Sequence, residues 1–321
     1  MELPDRESTR PARVRLVHRL EYGVWRLITL LLGSLSRRWA IRLADALGWL
    51  AYAVLRLRRR EVEKNLEIAF GSRKTPQELR QIALRTYQNN LLTFFEFVQP
   101  HLLGPLRGGN FEPIVGYEHY TACKGAPAIS LLAHFGNWEA VSQYALHEGV
   151  RFVAFVKLLH NPLIDREVTA IRRSMGVDIL PVTASIKRAV DAVRQGKWLA
   201  VLGDQDARRR GIFVDFFGRP ASTYEGAALF SWKLNLPILP MFCVREDGPL
   251  RKLRLHVMAP ILPDPNAERD AEVRRLTEAH VRALEQMIER FPDNYFWFHR
   301  RWKTKPRRAE SAADGDSSSA C

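Results

Sequence analysis

A histidine and a glutamate stand five positions apart in the segment Leu131-Leu-Ala-His-Phe-Gly-Asn-Trp-Glu139. A carboxylate that accepts from one imidazole nitrogen fixes the tautomer and leaves the other nitrogen as a base. Such a pair, with no serine or cysteine nucleophile beside it, suits deprotonation of a substrate hydroxyl, a contribution of about 10²–10⁴-fold. Within one continuous helix an offset of five turns two side chains about 140° apart, so they could not face each other. The pair works only if a helix begins between them. Gly136 permits a tight turn, and Asn137 can cap a helix starting at Trp138. Glu139 would then lie in the first turn, where the helix dipole favours an anion. Spacing alone is met as well by a histidine closing a strand end and a glutamate that merely suits a helix N-terminus.

Other residues carry weaker signals. Arg172 can hold a phosphate or pair with a surface carboxylate, and Arg208-Arg-Arg210 is either a phosphate-docking loop or a solvated one. His299, in the closing run Phe296-Trp-Phe-His-Arg-Arg-Trp302, reads as a hydrogen-bonded structural histidine in a packed or interfacial element. The same run could stack on nucleic acid, but no nucleic-acid partner is expected. No glycine-rich phosphate loop or paired metal-ligand motif is present, and His134 and Glu139 lack a third ligand, so neither a metal nor a cofactor is expected.

The elements that must position these groups follow from periodicity. Up to about Pro100 the chain reads as helical, and Thr75-Pro-Gln-Glu78 is a capping box with proline at the first helical position. Pro100 to Pro113 reads as a linker. Beyond it, strands are expected at 128–133, 152–156, 198–203, 237–244 and 253–258. Helices are expected at 138–147, 162–175, 186–195, 224–234 and 267–290, with Ser185 and Gly196 bounding the third. This alternation predicts an α/β fold with a mixed central sheet flanked by helices. His134 would then stand at the C-terminal end of a strand, where open α/β sheets present their chemistry.

The formal charge of +14 over 321 residues favours an anionic partner, whether phosphate-bearing lipid, nucleic acid or acidic protein. Three scattered cysteines, Cys123, Cys243 and Cys321, give no disulfide or zinc spacing and suit a reducing compartment. No signal peptide is evident. Val24 to Leu35 is apolar but contains Arg26 and is shorter than the roughly 20 residues of a comfortable span. With Ala46–Leu55 and the arginines around both runs, it describes helices that lie in a bilayer interface. An ordinary amphipathic helical pair packed on the domain is the alternative. The expected division is a polar N-terminus (1–19), a helical membrane-associating region and linker (20–111), a catalytic domain (112–305) and a disordered tail (306–321).

His-Phe-Gly-Asn-Trp-Glu resembles the H-x4-D/E signature of the lysophospholipid and glycerolipid acyltransferase superfamily, in the form of the lipid A late acyltransferases (lauroyl and myristoyl transferases). Asn65-Leu, Val115-Gly-Tyr-Glu-His119, Asn161-Pro-Leu-Ile-Asp165 and Arg172 fall in family order. So do Gly203-Asp-Gln-Asp206, Gly211-Ile-Phe-Val-Asp-Phe-Phe-Gly-Arg-Pro-Ala221 and Tyr295 to Lys303. Tyr224-Glu225-Gly226 departs from the Thr-x-Gly-like helix start of the family. The resemblance implies that His134 is the general base and Glu139 its partner. It further implies that Asn137 and Trp138 shape the pocket, that Arg172 holds an anionic group, and that Asp204 and Asp206 form the turn near the site. With Arg208, Arg209 and Arg210 these are the expected substrate-binding residues. The implied donor is a fatty acyl thioester of acyl carrier protein, and the implied acceptor is a hydroxyl of a phosphorylated lipid A precursor at the cytoplasmic face of a bacterial inner membrane. Alternatives are another lipid acceptor (a glycolipid mannoside, phospholipid or aminolipid), thioester hydrolysis, and a non-enzymatic basic membrane or nucleic-acid binder.

Overall fold

The computed structural model describes residues 14–306; most of the expected polar N-terminus and the expected disordered tail, with Cys321, lies outside the described residues. Among the described residues four helices come first: α1 (Leu16–Gly33), α2 (Arg37–Trp49, extended by a π-helical turn over Leu50–Val54), α3 (Arg59–Phe70) and α4 (Pro76–Val98). The start of α4 follows from its sequence. Thr75 Oγ1 accepts from the Glu78 amide at 3.3 Å, and Glu78 Oε2 accepts from the Thr75 amide at 2.7 Å.

The segment read as a linker is instead packed. Pro100–Leu102 forms a three-ten turn, Leu102 and Leu103 are buried, and β1 (Phe111–Val115) begins within it. Its prolines and glycines shape turns rather than a free connection. The chain then alternates through α5 (Tyr117–Cys123), β2 (Ile129–Leu132), α6 (Val141–His147), β3 (Phe152–Val156) and α7 (Pro162–Ser174). It continues through β4 (Val177–Pro181), α8 (Ile186–Arg194), β5 (Trp198–Leu202), β6 (Ile212–Phe216), β7 (Arg219–Thr223), α9 (Gly226–Leu234), β8 (Ile238–Arg245), β9 (Leu253–Val257) and α10 (Arg269–Arg290). The strands β1 and β4 and the β6–β7 hairpin were not expected. Pro113 and Pro181 disguise the two strands, and the hairpin pairs with itself outside the main sheet.

Seven strands form one mixed sheet in the order β1-β9-β8-β2-β5-β3-β4. From β8 to β4 neighbours are parallel; β9 is antiparallel to β8, and β1 is parallel to β9. The expected α/β class with a mixed, helix-flanked sheet is therefore what forms. Strand β2 is central and all four of its residues are buried, as strands covered on both faces require. Its side chains alternate: Leu132 packs with α5 and α6, whereas Ile129 and Leu131 pack with α9 and α10. The N-terminal helices share a hydrophobic core with the sheet region. Leu66, Phe70, Ala83 and Tyr87 cluster with Phe135, Phe242, Tyr295 and Trp297 across residue 112. Among the described residues, no helix is long and apolar enough to cross a membrane.

Candidate active site

The β2–β5 register aligns Leu132 with Leu202. Continued two residues past both parallel strands, that register brings His134 beside Asp204. His134 Nδ1 lies 2.9 Å from Asp204 Oδ1, and Asp204 Oδ2 accepts from the His134 backbone amide at 3.2 Å. The Asp204 side chain is 3% exposed and that of His134 24%. Burial opposes protonation of the imidazole, but the Asp204 carboxylate overrides it and holds His134 above the ordinary histidine value. Burial likewise opposes ionisation of Asp204, and His134 overrides it, holding the carboxyl below the usual aspartate range. With Nδ1 engaged by Asp204, Nε2 is the nitrogen left to act as base; among the described residues no hydrogen bond reaches it.

The direct His134–Glu139 pairing expected from sequence is not what forms. Glu139 is gripped by Arg172, whose Nε and NH2 donate to its two oxygens at 3.1 and 2.5 Å. A bidentate guanidinium is a stronger partner for a carboxylate than a single imidazole nitrogen. Burial works against the Arg172 charge, but Glu139 outweighs it and raises the guanidinium pKa further. The Arg172 guanidinium also lies 5.3 Å over the Phe97 ring.

Asn137 was expected to shape the pocket, but it is 1% exposed and does not line the cavity beside His134. Its Oδ1 accepts from the Ala140 amide at 3.1 Å, capping the turn that carries Glu139, and regular helix starts only at Val141. Trp138 does face the site, its ring 5.1 Å from the His134 imidazole. Asp206 is buried; its amide donates to His299 Nε2 at 2.8 Å and its Oδ2 accepts from Thr304 at 2.9 Å. It thus braces the C-terminal run, and His299 has the structural role expected of it. Arg208, Arg209 and Arg210 form an exposed three-ten turn after Asp206 and do not line the cavity beside His134.

That cavity, about 340 Å³, lies on the α6 side of the sheet. Its wall is apolar, from Leu132, Phe152, Ala154, Val156, Val177, Ile179, Ala200 and Leu202. Polar groups converge at one end: His134, Glu139, Arg172, Lys157 and Gln205. An apolar chamber with a few convergent polar groups is what a small-molecule or acyl-chain site requires. Lys157 and Gln205 escaped the sequence reading. Lys157 directly follows β3, so its signal was a charge at the C-terminal end of a parallel strand; Gln205 lay unassigned between two aspartates. Two further cavities, beside His256 and beside Phe217, are lined by none of the candidate catalytic or substrate-binding residues.

A family model described as bacterial lipid A biosynthesis acyltransferase matches residues 12–304. The chain belongs to this family. It is 26% identical over 277 residues to the lipid A biosynthesis lauroyltransferase of Escherichia coli K12, a match covering 84% of this chain and 87% of that protein. It is 25% identical over 297 residues to the lipid A biosynthesis acyltransferase of Haemophilus influenzae, covering 88% of each. Similarity extends to the phosphatidylinositol mannoside acyltransferase of Mycobacterium tuberculosis, at 24% identity over 136 residues. There the match covers 40% of this chain and only 43% of the mycobacterial protein. The resemblance drawn from the ordered motifs is thereby confirmed at the level of the family. This acyltransferase family member accordingly places its H-x4-E residues at the polar end of an apolar chamber, with the histidine paired to Asp204 and the glutamate to Arg172.

Proposed function

We propose that the protein transfers a fatty acyl chain from an acyl carrier protein thioester to a hydroxyl of a lipid A precursor, with His134 as general base. The observation that carries this reading is the pairing of His134 with the buried Asp204 carboxylate at the polar end of an apolar cavity. Nε2 removes the acceptor hydroxyl proton as the oxygen attacks the thioester carbonyl. Asp204 stabilises the imidazolium that forms, and Nε2 then returns the proton to the departing thiolate. Arg172, Lys157 and Gln205 are the donors at hand for the tetrahedral oxyanion or an acceptor phosphate. Glu139 acts by fixing the Arg172 fork rather than by orienting the base. The apolar chamber suits the acyl chain, and the exposed Arg208–Arg210 turn suits the acidic carrier or the acceptor's phosphates.

We also propose that the protein works on the cytoplasmic surface of a bacterial inner membrane. In support, α1 exposes Leu16, Leu20, Val24, Leu27, Leu30 and Leu31, and the segment through α2 exposes Trp39, Trp49, Leu55 and Leu57. Arg15, Arg19, Arg38, Arg42, Arg56 and Arg60 are exposed beside them. Apolar side chains interleaved with cations match an anionic lipid interface. The helix is anchored to the site, because Glu167 of α7 accepts from Tyr22, from Trp25 at 2.7 Å and from Arg26 at 2.9 Å.

The test is direct. Purified protein, acyl carrier loaded with fatty acid and a lipid A precursor should yield an acylated lipid by mass spectrometry. His134→Ala should abolish the product while binding of anionic vesicles persists. A mannoside acceptor belongs in the same assay, given the mycobacterial relative. Undiminished turnover in His134→Ala would overturn the mechanism, and equal binding to neutral and anionic vesicles would overturn the electrostatic part of the membrane reading.

A further inference from the structure

Glu96 lies near the end of α4, and its side chain is completely buried. No step of the acyl transfer uses it, yet four donor contacts converge on its carboxylate. Arg37 NH1 of α2 and Arg245 NH1 of β8 both donate to Oε1 at 2.7 Å. Arg245 NH2 at 2.5 Å and Asn137 Nδ2 at 2.8 Å donate to Oε2. Burial works against this carboxylate's ionisation, but the two guanidinium groups override it and hold Glu96 below the usual range.

Asn137 is thereby fixed from both ends, its Nδ2 by Glu96 and its Oδ1 by the Ala140 amide. The same helix holds the preceding residue, with Thr93 Oγ1 donating to the Gly136 carbonyl at 3.1 Å. Arg245 NH2 donates in turn to Thr93 Oγ1 at 2.9 Å. The turn pinned in this way joins His134 to Glu139, so its placement sets where both point.

We propose that Glu96 is a positioning residue for acyl transfer: through Asn137 it fixes the turn that aims His134 and the Glu139–Arg172 pair into the cavity. Through Arg37 it also ties that turn to the N-terminal helices. The inference rests on the acyl-transfer reading above. A displacement of about 1 Å at a reacting group costs on the order of 10²-fold in rate.

The test uses the full chain with Glu96→Gln, Asn137→Asp and the double variant, each confirmed folded by circular dichroism at the assay temperature. Asn137→Asp sets a second carboxylate against Glu96, and kcat should fall about 10²-fold with KM for the acyl donor held within about threefold. In the double variant the glutamine amide introduced in place of Glu96 can donate to the new carboxylate, and kcat should recover about tenfold. The acid limb of the pH profile should stay in place in Glu96→Gln, because the His134–Asp204 pair is untouched. A second readout needs no substrate: the rate at which diethyl pyrocarbonate modifies His134, with His134→Ala subtracting the other histidines, should change in Asn137→Asp and return in the double variant. Wild-type kcat in the folded Asn137→Asp protein, or an absent rescue in both readouts, would overturn the inference. Normal modification behaviour of the wild type without acyl transfer would instead count against the acyl-transfer reading alone.

Discussion

Replacing Asp204 by asparagine separates the pairing seen in the structure from the one the sequence suggested. The carboxylate lies 2.9 Å from His134 Nδ1 with its side chain 3% exposed, so water screens the contact little. A hydrogen bond to a charged group contributes about 1.5–3 kcal/mol, and at about 1.4 kcal/mol per decade its loss slows the step by about 10–10²-fold. The asparagine amide can also turn its NH2 toward Nδ1, forcing the proton onto Nε2 and removing the base altogether. The loss then approaches the full worth of general-base catalysis, so kcat should fall within the range of about 10²–10⁴-fold. The pH profile carries a second signature. The base works only when neutral, so activity rises as pH rises through the His134 pKa, which Asp204 holds above the ordinary value of about 6.5. Without the carboxylate, burial acts nearly alone and the acid limb moves to lower pH while the plateau drops. Steady-state rates from pH 5 to 9 with acyl carrier donor and lipid acceptor, measured beside Glu139→Gln, decide the matter. If Asp204→Asn stays within about threefold of wild type with an unmoved limb, while Glu139→Gln takes the larger loss and shifts the limb, then Glu139 orients the base and the present assignment is wrong.

Arg172→Lys keeps the charge but loses the fork that holds both Glu139 oxygens. KM for the phosphorylated acceptor should rise about tenfold, near 1.4 kcal/mol, with kcat little changed; a fall in kcat at constant KM would place Arg172 in the transition state instead. Gly136→Ala should be poorly tolerated, because Gly136 has φ +54° and an added Cβ would meet the Cys243 carbonyl oxygen at 1.9 Å. Left-handed strain alone costs on the order of 1–3 kcal/mol, so thermal melting should show a markedly lower Tm or no folded protein. Burial pushes His256 and His280 down to about 4. Their unfolded values lie near 6.5, so the unfolded state binds more protons between those limits and stability should fall as pH drops from 6.5 toward 4. The raised His134 pKa acts in the opposite sense, its contribution being full below the unfolded value and lost as pH rises through the folded one. Urea midpoints across this window check the net direction, and a midpoint that rises on acidification would refute it.

Local chemistry along the chain determined a good deal of this protein by itself. The capping box at Thr75–Glu78 and the cap that Asn137 places on the Ala140 amide each join groups three residues apart, so their geometry could be read directly. The order of short motifs from Asn65 to Lys303 determined the family, because a motif's place along the chain is itself sequence information. What the sequence could not decide was who meets whom. His134 and Asp204 are 70 positions apart, and they touch because β5, three strands later in the chain, is the neighbour of β2 in the sheet. Glu139, 33 positions from Arg172, was captured by the closer and stronger fork on α7. Asn137 turned away from the cavity because Glu96, 41 positions earlier, waits behind it with two buried arginines. A five-residue spacing limits which groups can face one another; strand order and helix docking choose among the partners that remain, since hydrogen bonds act over about 3 Å of space and take no account of distance along the chain.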